Sequence, residues 1–308
     1  MKILVSGGAG YLGSVLVGKL LQTSHGITVI DNLMYGQTSL FQYCSNPYFK
    51  FFKGDIRDKQ PIIELLEDTD IYIPLAAIVG APACKIHQEV AKNINYYALI
   101  ENVLAMKKGI VIYPTTNSGY GTKSYETICT EETPLEPISD YGIQKVSAEK
   151  WLVHEPSRTI ALRLATVFGP STRMRTDLLV NNFVYKALRN RCLFLYEPEF
   201  IRNYLHIEDF ADCVIHCINN KDEMVGESYN VGLYDGNYSK LQLAQKVQEF
   251  IDCEIFIGEG SDPDKRNYMV SNDKLAKTGF KAVRSIKLGI AQLIELYNMM
   301  PRGNYSNV

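Results

Sequence analysis

Tyr141-Gly142-Ile143-Gln144-Lys145 sets a phenol and an ammonium four residues apart. On a helix those two side chains share one face, one turn apart. A tyrosine titrating near pH ~10 is a weak base at neutral pH. A cation beside it favours the phenolate. Tyr141 with Lys145 could therefore draw a proton from a hydroxyl while a hydride leaves the same carbon. Upstream lies Tyr113-Pro114-Thr115-Thr116-Asn117-Ser118-Gly119-Tyr120-Gly121, a polar loop at the end of an apolar run. A hydroxyl placed there can hydrogen-bond the reacting oxygen. Thr116 is the first candidate, with Ser118 and Thr115 behind it.

A hydride needs an acceptor, and the amino-terminal residues suggest one. Lys2 to Val5 is a short apolar run ending in Ser6-Gly7-Gly8-Ala9-Gly10-Tyr11-Leu12-Gly13. Gly7, Gly10 and Gly13 are three apart, between a first strand and a first helix. One glycine permits the turn, one lets backbone approach a pyrophosphate, and one lets helix pack on strand. The helix then points free N–H groups and its positive end at phosphate. Eighteen residues on, Asp31 closes the second strand, where a carboxylate accepts from both hydroxyls of an adenosine ribose. It would repel a 2′-phosphate, and Asn32-Leu33-Met34 brings no arginine, so NAD is expected and NADP disfavoured. Asp55-Ile56, after the third strand, is a candidate adenine contact.

The elements that position these groups follow from periodicity. Strands are expected at Lys2–Val5, Ile27–Ile30, Phe49–Phe52, Ile71–Pro74, Ile110–Tyr113 and Thr159–Leu164. Helices are expected at Tyr11–Gln22, Pro61–Leu66, Cys84–Lys107 and Asp140–Val153. This alternation predicts a Rossmann-type, doubly wound α/β fold on a parallel sheet. After Gly169-Pro170 the rhythm changes. Helices at Leu178–Arg189, Ile207–Ile218, Lys240–Ile251 and Ile286–Met299, with a strand at Leu193–Tyr196, describe a smaller mixed α/β lobe for the substrate. The expected division is 1–168 and 169–308, with room for the chain to cross back. Arg302 to Val308 reads as a frayed end.

Composition sets the class. The 308 residues are 46% hydrophobic and 21% charged with net charge −2, the balance of an ordinary globular protein. Nothing in that charge points to nucleic acid or to a membrane surface, and no apolar run reaches the length of a spanning helix. Met1-Lys2 leads straight into a strand, which leaves no room for a signal peptide and predicts a cytoplasmic protein. The seven cysteines form no CxxC pair, which fits reduced thiols. Cys213 and Cys217, one turn apart, have no His or carboxylate set to complete a metal site, so no metal is expected.

Together these residues resemble the extended short-chain dehydrogenase/reductase family, specifically its nucleotide-sugar epimerases, dehydratases and decarboxylases. The resemblance covers nearly the whole chain. It implies NAD bound by Gly7, Gly10, Tyr11, Leu12, Gly13, Asp31, Asn32, Asp55, Ile56, Leu75, Ala76, Ala77, Asn95, Tyr141 and Lys145. Pro74 stands where the family usually has His. Thr116, Tyr141 and Lys145 fall on its catalytic triad. Arg202, in Arg202-Asn203-Tyr204-Leu205-His206, Arg266 and Asn181 fall on contacts to the substrate diphosphate, for which guanidinium is well shaped. Members that only sense NAD usually lose the Tyr or the Lys, and both are present here.

Two departures narrow the reaction. Related dehydratases carry Asp and Glu directly after the catalytic Thr, and decarboxylases a Glu in the same loop. Asn117 and Ser118 are neither acids nor bases at neutral pH, so removal of a hydride from a 4-hydroxyl is expected and elimination of water is not. Pro74 to Pro82, Thr115 to Gly121 and Leu164 to Gly169 resemble a narrower group that oxidises a GDP-linked manno-heptose at carbon 4 for bacterial capsular or surface polysaccharide. A UDP-hexose 4-epimerase that keeps its NAD is the alternative. The family also implies a homodimer through Cys84–Lys107 and Asp140–Val153.

Overall fold

A computed structural model describes the chain except residues 155–157, 261–265, 302, 304 and 308 and the side chain of Ala81. In order, the elements are β1 (Lys2–Ser6), α1 (Tyr11–Leu20), β2 (Gly26–Asp31), β3 (Phe49–Lys53), α2 (Lys59–Leu66) and β4 (Ile71–Pro74). There follow α3 (Ala81–Ile86), α4 (Gln88–Lys92), a π-helical turn (Asn93–Ala98), α5 (Leu99–Ala105) and β5 (Ile110–Thr116). A 3₁₀ turn (Asn117–Tyr120) leads to β6 (Ile128–Cys129), α6 (Asp140–His154), β7 (Thr159–Leu164) and β8 (Thr166–Phe168). The remainder is α7 (Leu179–Asn190), β9 (Cys192–Leu195), β10 (Ile201–His206), α8 (Ile207–Asn219), α9 (Lys221–Met224) and β11 (Ser228–Val231). Then come β12 (Asn237–Ser239), α10 (Lys240–Gln248), β13 (Glu254–Ile257), β14 (Met269–Val270), α11 (Asp273–Lys277) and α12 (Ile286–Met299).

Seven strands form one sheet in the order β11-β7-β5-β4-β1-β2-β3, and every neighbouring pair in it is parallel. Central strands of such a sheet are covered on both faces, so they read as continuous apolar runs. β4 is buried throughout and so is β7. The order reverses direction beside β1, and the crevice at that reversal, at the carboxyl ends of the strands, is where such sheets take ligands.

The Rossmann-type fold read from the sequence is the one observed, and the chain does cross back. β11, far beyond residue 168, pairs with β7 from Ser228↔Ala161 to Val231↔Leu164, and α8 packs on α1. The rest of the carboxyl-terminal part is a smaller lobe. β12, β10 and β8 form one three-stranded sheet, β13 pairs with β9, and β14 ties back to β6. Two expectations change. The helix expected over Cys84–Lys107 is four segments, broken first at His87, whose backbone leaves the helical region. The tail is docked where it is described: Thr176 N–H donates to the Tyr305 carbonyl at 3.2 Å, and Arg173 Nη2 donates to Asn307 Oδ1 at 2.9 Å. Arg302, Asn304 and Val308 of that tail lie outside the described residues.

Candidate active site

The glycine turn works as its spacing suggests. Gly7 has φ +71°, and a Cβ there would lie 2.4 Å from the Ala76 backbone nitrogen, so only glycine lets β1 pass β4 so closely. A Cβ on Gly13 would lie 2.5 Å from Gly8 Cα, which is the close helix–strand contact. A Cβ on Gly10 would approach nothing but the Gly7 carbonyl oxygen, at 3.2 Å, so its outer side is open. α1 begins there with no capping side chain. Its first N–H groups are left to meet an anion.

This turn floors a groove lined by Gly7, Gly10, Tyr11, Leu12, Gly13, Asp31, Asn32, Asp55, Ile56, Leu75, Ala76 and Ala77. Every cofactor residue expected outside the catalytic helix therefore lines one groove, with the exception of Asn95. Asn95 is buried behind it. It accepts from Ile78 N–H and donates to the Ile78 carbonyl, both at 2.9 Å, and donates to Gln144 Oε1 at 2.8 Å. It thereby shapes the 75–79 loop and ties it to α6.

Asp31 is buried, and desolvation raises its carboxyl above the usual range. Its oxygens accept from Ala9 N–H at 2.9 Å, Leu33 N–H at 2.8 Å and, more loosely, Gln37 Nε2 at 3.3 Å. Two oxygens offer about four acceptor positions, so one remains for a ribose hydroxyl, and a second opens if the long Gln37 bond gives way. Asp55 is committed differently. Arg57 grips it through Nε and Nη2, each at 2.8 Å, and Asn32 donates to it at 3.1 Å. That grip holds its carboxyl at about 2. These residues fit a dinucleotide: a turn open to phosphate, a carboxylate for ribose and apolar walls at Ile56 and Leu75.

The candidate reacting groups are tied to this groove through Asn95, which bonds Gln144, and through Arg175, a groove residue that acts on Tyr141. β5 ends in Thr116, whose Oγ1 donates to Ser118 Oγ at 2.9 Å and accepts Ser118 N–H at 3.1 Å. The start of α6 abuts that turn: a Cβ on Gly142 would lie 3.6 Å from the Ser118 carbonyl oxygen. Lys145 is buried, its Nζ 4.1 Å from the centre of the Tyr113 ring. Burial lowers its ammonium to about 7. Burial likewise raises the Tyr141 phenol to about 12, and the cations that draw it back are Arg175 and Arg266. The expected helper cation, Lys145, is thus itself short of charge, because the burial that disfavours phenolate also disfavours ammonium.

The second lobe supplies the arginines. Arg202 is buried on β10, in register with Tyr238. The segment that follows Arg266 is bound to the start of the same strand, since Ile201 N–H donates to Asn267 Oδ1 at 2.8 Å and Tyr268 N–H to the Ile201 carbonyl at 3.1 Å. Arg266 Nη1 donates to Ser118 Oγ, which brings a guanidinium to the catalytic turn. Asn181 faces elsewhere. It is fully buried, accepting from Gly169 N–H at 3.0 Å and donating to Tyr11 Oη at 3.1 Å and the Arg175 carbonyl at 3.0 Å. Both amide hydrogens are used within the protein, so Asn181 secures α1 to the second lobe and does not present its side chain to the cleft.

Sequence reasoning missed Arg173, Arg175 and Tyr35, which also line the groove. The Arg173 guanidinium stands 4.6 Å from the centre of the Tyr35 ring, joining the two sides. The signal was two arginines, spaced by one residue, three and five residues past Pro170.

The chain is similar to known proteins over most of its length. Residues 3–232 match the NAD dependent epimerase/dehydratase family. A protein of Bacillus subtilis (strain 168) named an uncharacterized UDP-glucose epimerase, YtcB, is 30% identical over 252 residues, 75% of this chain and 77% of its own. The UDP-glucose 4-epimerase of Lactobacillus helveticus is 28% identical over 314 residues, 90% of each chain. The crystal structure of UDP-glucuronic acid 4-epimerase from Bacillus cereus, in complex with UDP-glucuronic acid and NAD, superposes with TM-score 0.82 at 25% identity. The match covers 97% of this chain and 99% of that one.

Proposed function

The chain belongs to the NAD-dependent epimerase/dehydratase family, and from that premise we propose that it oxidises the 4-hydroxyl of a nucleotide-activated sugar. The observation that carries this reading is the junction at the Thr116 turn: Arg266 Nη1 reaches Ser118 Oγ, the partner of Thr116 Oγ1, and Arg266 acts on Tyr141 together with Arg175, a residue of the dinucleotide groove. NAD, when bound, supplies the hydride acceptor and a positively charged ring. The protein's own groups do the rest. Thr116 Oγ1 orients the sugar oxygen, Tyr141 takes its proton, and Arg202 and Arg266 bind phosphate or other anionic oxygens of the substrate. Asn117 and Ser118 carry no proton-transfer group at neutral pH, which favours oxidation without elimination of water.

The finer reading is a 4-dehydrogenase acting on a GDP-linked manno-heptose and releasing the keto sugar. It rests on the segments Pro74–Pro82, Thr115–Gly121 and Leu164–Gly169. The second reading, a UDP-sugar 4-epimerase, is favoured by the names of the relatives above. We further propose a homodimer through α3–α6. Ile86 and Leu104 there are 68% and 63% exposed, and Tyr97 and Ile143 about half exposed, an unusual set of apolar groups for free helix faces.

Incubation with NAD⁺ and a panel of GDP-, UDP-, dTDP- and CDP-sugars separates the outcomes. A product two mass units lighter, formed with equimolar NADH, establishes the dehydrogenase and names its sugar. Unchanged mass with inverted stereochemistry and no free NADH establishes the epimerase. No conversion of any sugar overturns both.

A further inference from the structure

Tyr141, Lys145 and Glu149 recur every fourth residue along α6, each about 6 Å from the last along the axis. Tyr141 is the proton acceptor of the reading above and Lys145 the cation its spacing calls for; Glu149 has no role there. It is 2% exposed and stands with Arg163 of β7. Arg163 Nε donates to Glu149 Oε1 at 2.7 Å, and Ser228 Oγ donates to the same oxygen at 3.0 Å. No donor among the described residues reaches Oε2. A buried carboxylate oxygen without a partner is costly, so its retention asks for a reason.

The pair also reaches the catalytic turn. Arg163 Nη1 donates to Tyr120 Oη at 3.1 Å and to the Glu131 carbonyl at 3.0 Å. Tyr120 ends the turn that begins after Thr116, and it donates onward to Asn230 Oδ1 at 2.7 Å. One ion pair thus joins the helix of Tyr141 to the turn of Thr116. The charged and titratable groups around Lys145 come from every neighbouring element. They are Tyr113 of β5, under its Nζ, and Tyr141 and Glu149, one turn away on either side along α6; Arg163 of β7 meets Glu149, and Tyr120 and the Glu131 carbonyl meet Arg163, while Cys84 of α3 acts on Tyr141. From the second lobe, Arg175 and Arg266 act on Tyr141. Glu149 is the anion that opposes desolvation of Lys145.

We propose that Glu149, anchored by Arg163 and one helical turn from buried Lys145 on the same face of α6, is a positioning residue: its carboxylate is the counter-charge of the Lys145 ammonium, and the pair with Arg163 registers α6 against the Thr116 turn. The inference rests on Tyr141 and Lys145 being the reacting pair, and its test is chosen to be read without turnover. Lysine labelled with ¹³C at Cε reports Lys145 directly by NMR, with Lys145→Met assigning the signal. In Glu149→Gln the Lys145 midpoint falls by about one pH unit, the effect of one nearby charge in a buried site. The alkaline limb of the oxidation rate falls with it. An unmoved midpoint in folded Glu149→Gln overturns the proposal, even if activity drops, because a purely structural role would do that. If Glu149→Gln unfolds, Glu149→Gln/Arg163→Met removes both charges together, a replacement buried pairs tolerate. Compared with Arg163→Met alone, the double variant is expected to titrate about one pH unit lower, and equal midpoints overturn the proposal. A wild-type protein that oxidises no nucleotide sugar sinks the catalytic reading alone and leaves the NMR midpoint to decide the role of Glu149.

Discussion

An ammonium buried over the Tyr113 ring holds its proton poorly, and Lys145 titrates near 7 where free lysine titrates near ~10.4. The unfolded chain keeps that proton up to about pH 10, whereas the folded chain releases it by about 7. Unfolding therefore takes up a proton between those values, and stability falls as pH drops across that window. Below 7 the whole cost is present. Lys145→Met should raise resistance to guanidinium most at pH 6, by up to a few kcal/mol, and hardly at all above pH 10.5, while abolishing oxidation. Equal gains at both pH values would show that burial of the charge is already offset. Tyr141 faces the same penalty in the opposite protonation state, and Arg175 and Arg266 relieve it from the second lobe. Those two arginines explain why the Tyr–Lys spacing alone could not describe the electrostatics: their guanidiniums come from residues far along the chain.

Among the elements, the β1–α1 turn tolerates least. Gly13→Ala puts a methyl group 2.5 Å from Gly8 Cα, so the turn must open at the phosphate site. NAD binding, followed by titration calorimetry, should weaken about tenfold or more, the scale of the 1–3 kcal/mol that local distortion costs. An unchanged affinity would mean that phosphate is held elsewhere. This turn was legible because glycine spacing and element order are both local features. The parallel strands were legible too, since β4 and the first half of β5 are apolar runs and β7, after Thr159, is one broken only by Arg163. The short strands β6, β12 and β14 span two or three residues, too few for any period to register. The long helix failed for a different reason. Asn95 turns inward to hold both backbone groups of Ile78, and the helix widens to a π turn around it, which no hydrophobic period announces. Asn181 illustrates the converse. Its residue type suited a phosphate contact, yet Gly169, Tyr11 and Arg175 take up its amide, partners more than five residues away.

At the scale of the molecule, α3–α5 and the outer face of α6 carry Ile86, Tyr97, Leu104 and Ile143 to the surface. Sedimentation should show a dimer for the native protein and a monomer for Ile86→Glu/Leu104→Glu, since charges are depleted at the centre of such contacts. A native monomer would remove the proposed interface. The two parts of the chain meet elsewhere as well. Ser39 Oγ donates to the Ala9 carbonyl at 2.7 Å, and Thr172 Oγ1 donates to the Ser39 carbonyl at 3.4 Å. The 33–40 loop is thereby tied both to the glycine turn and to the second lobe.

That loop carries Tyr35, and Tyr35 meets Arg173 on the outer side of the groove. Where a bound dinucleotide runs beneath that contact, ring and guanidinium must part before it leaves, and the contact is worth about 0.5–2 kcal/mol depending on its exposure. Dwell time on the protein is then set by a loop motion as well as by affinity. A carrier that lingers is an advantage where the hydride must return to the carbon it left, and a brake where a fresh carrier is needed at every turn. The same small clasp therefore bears on whether NAD serves this protein as a fixed prosthetic group or as a travelling co-substrate.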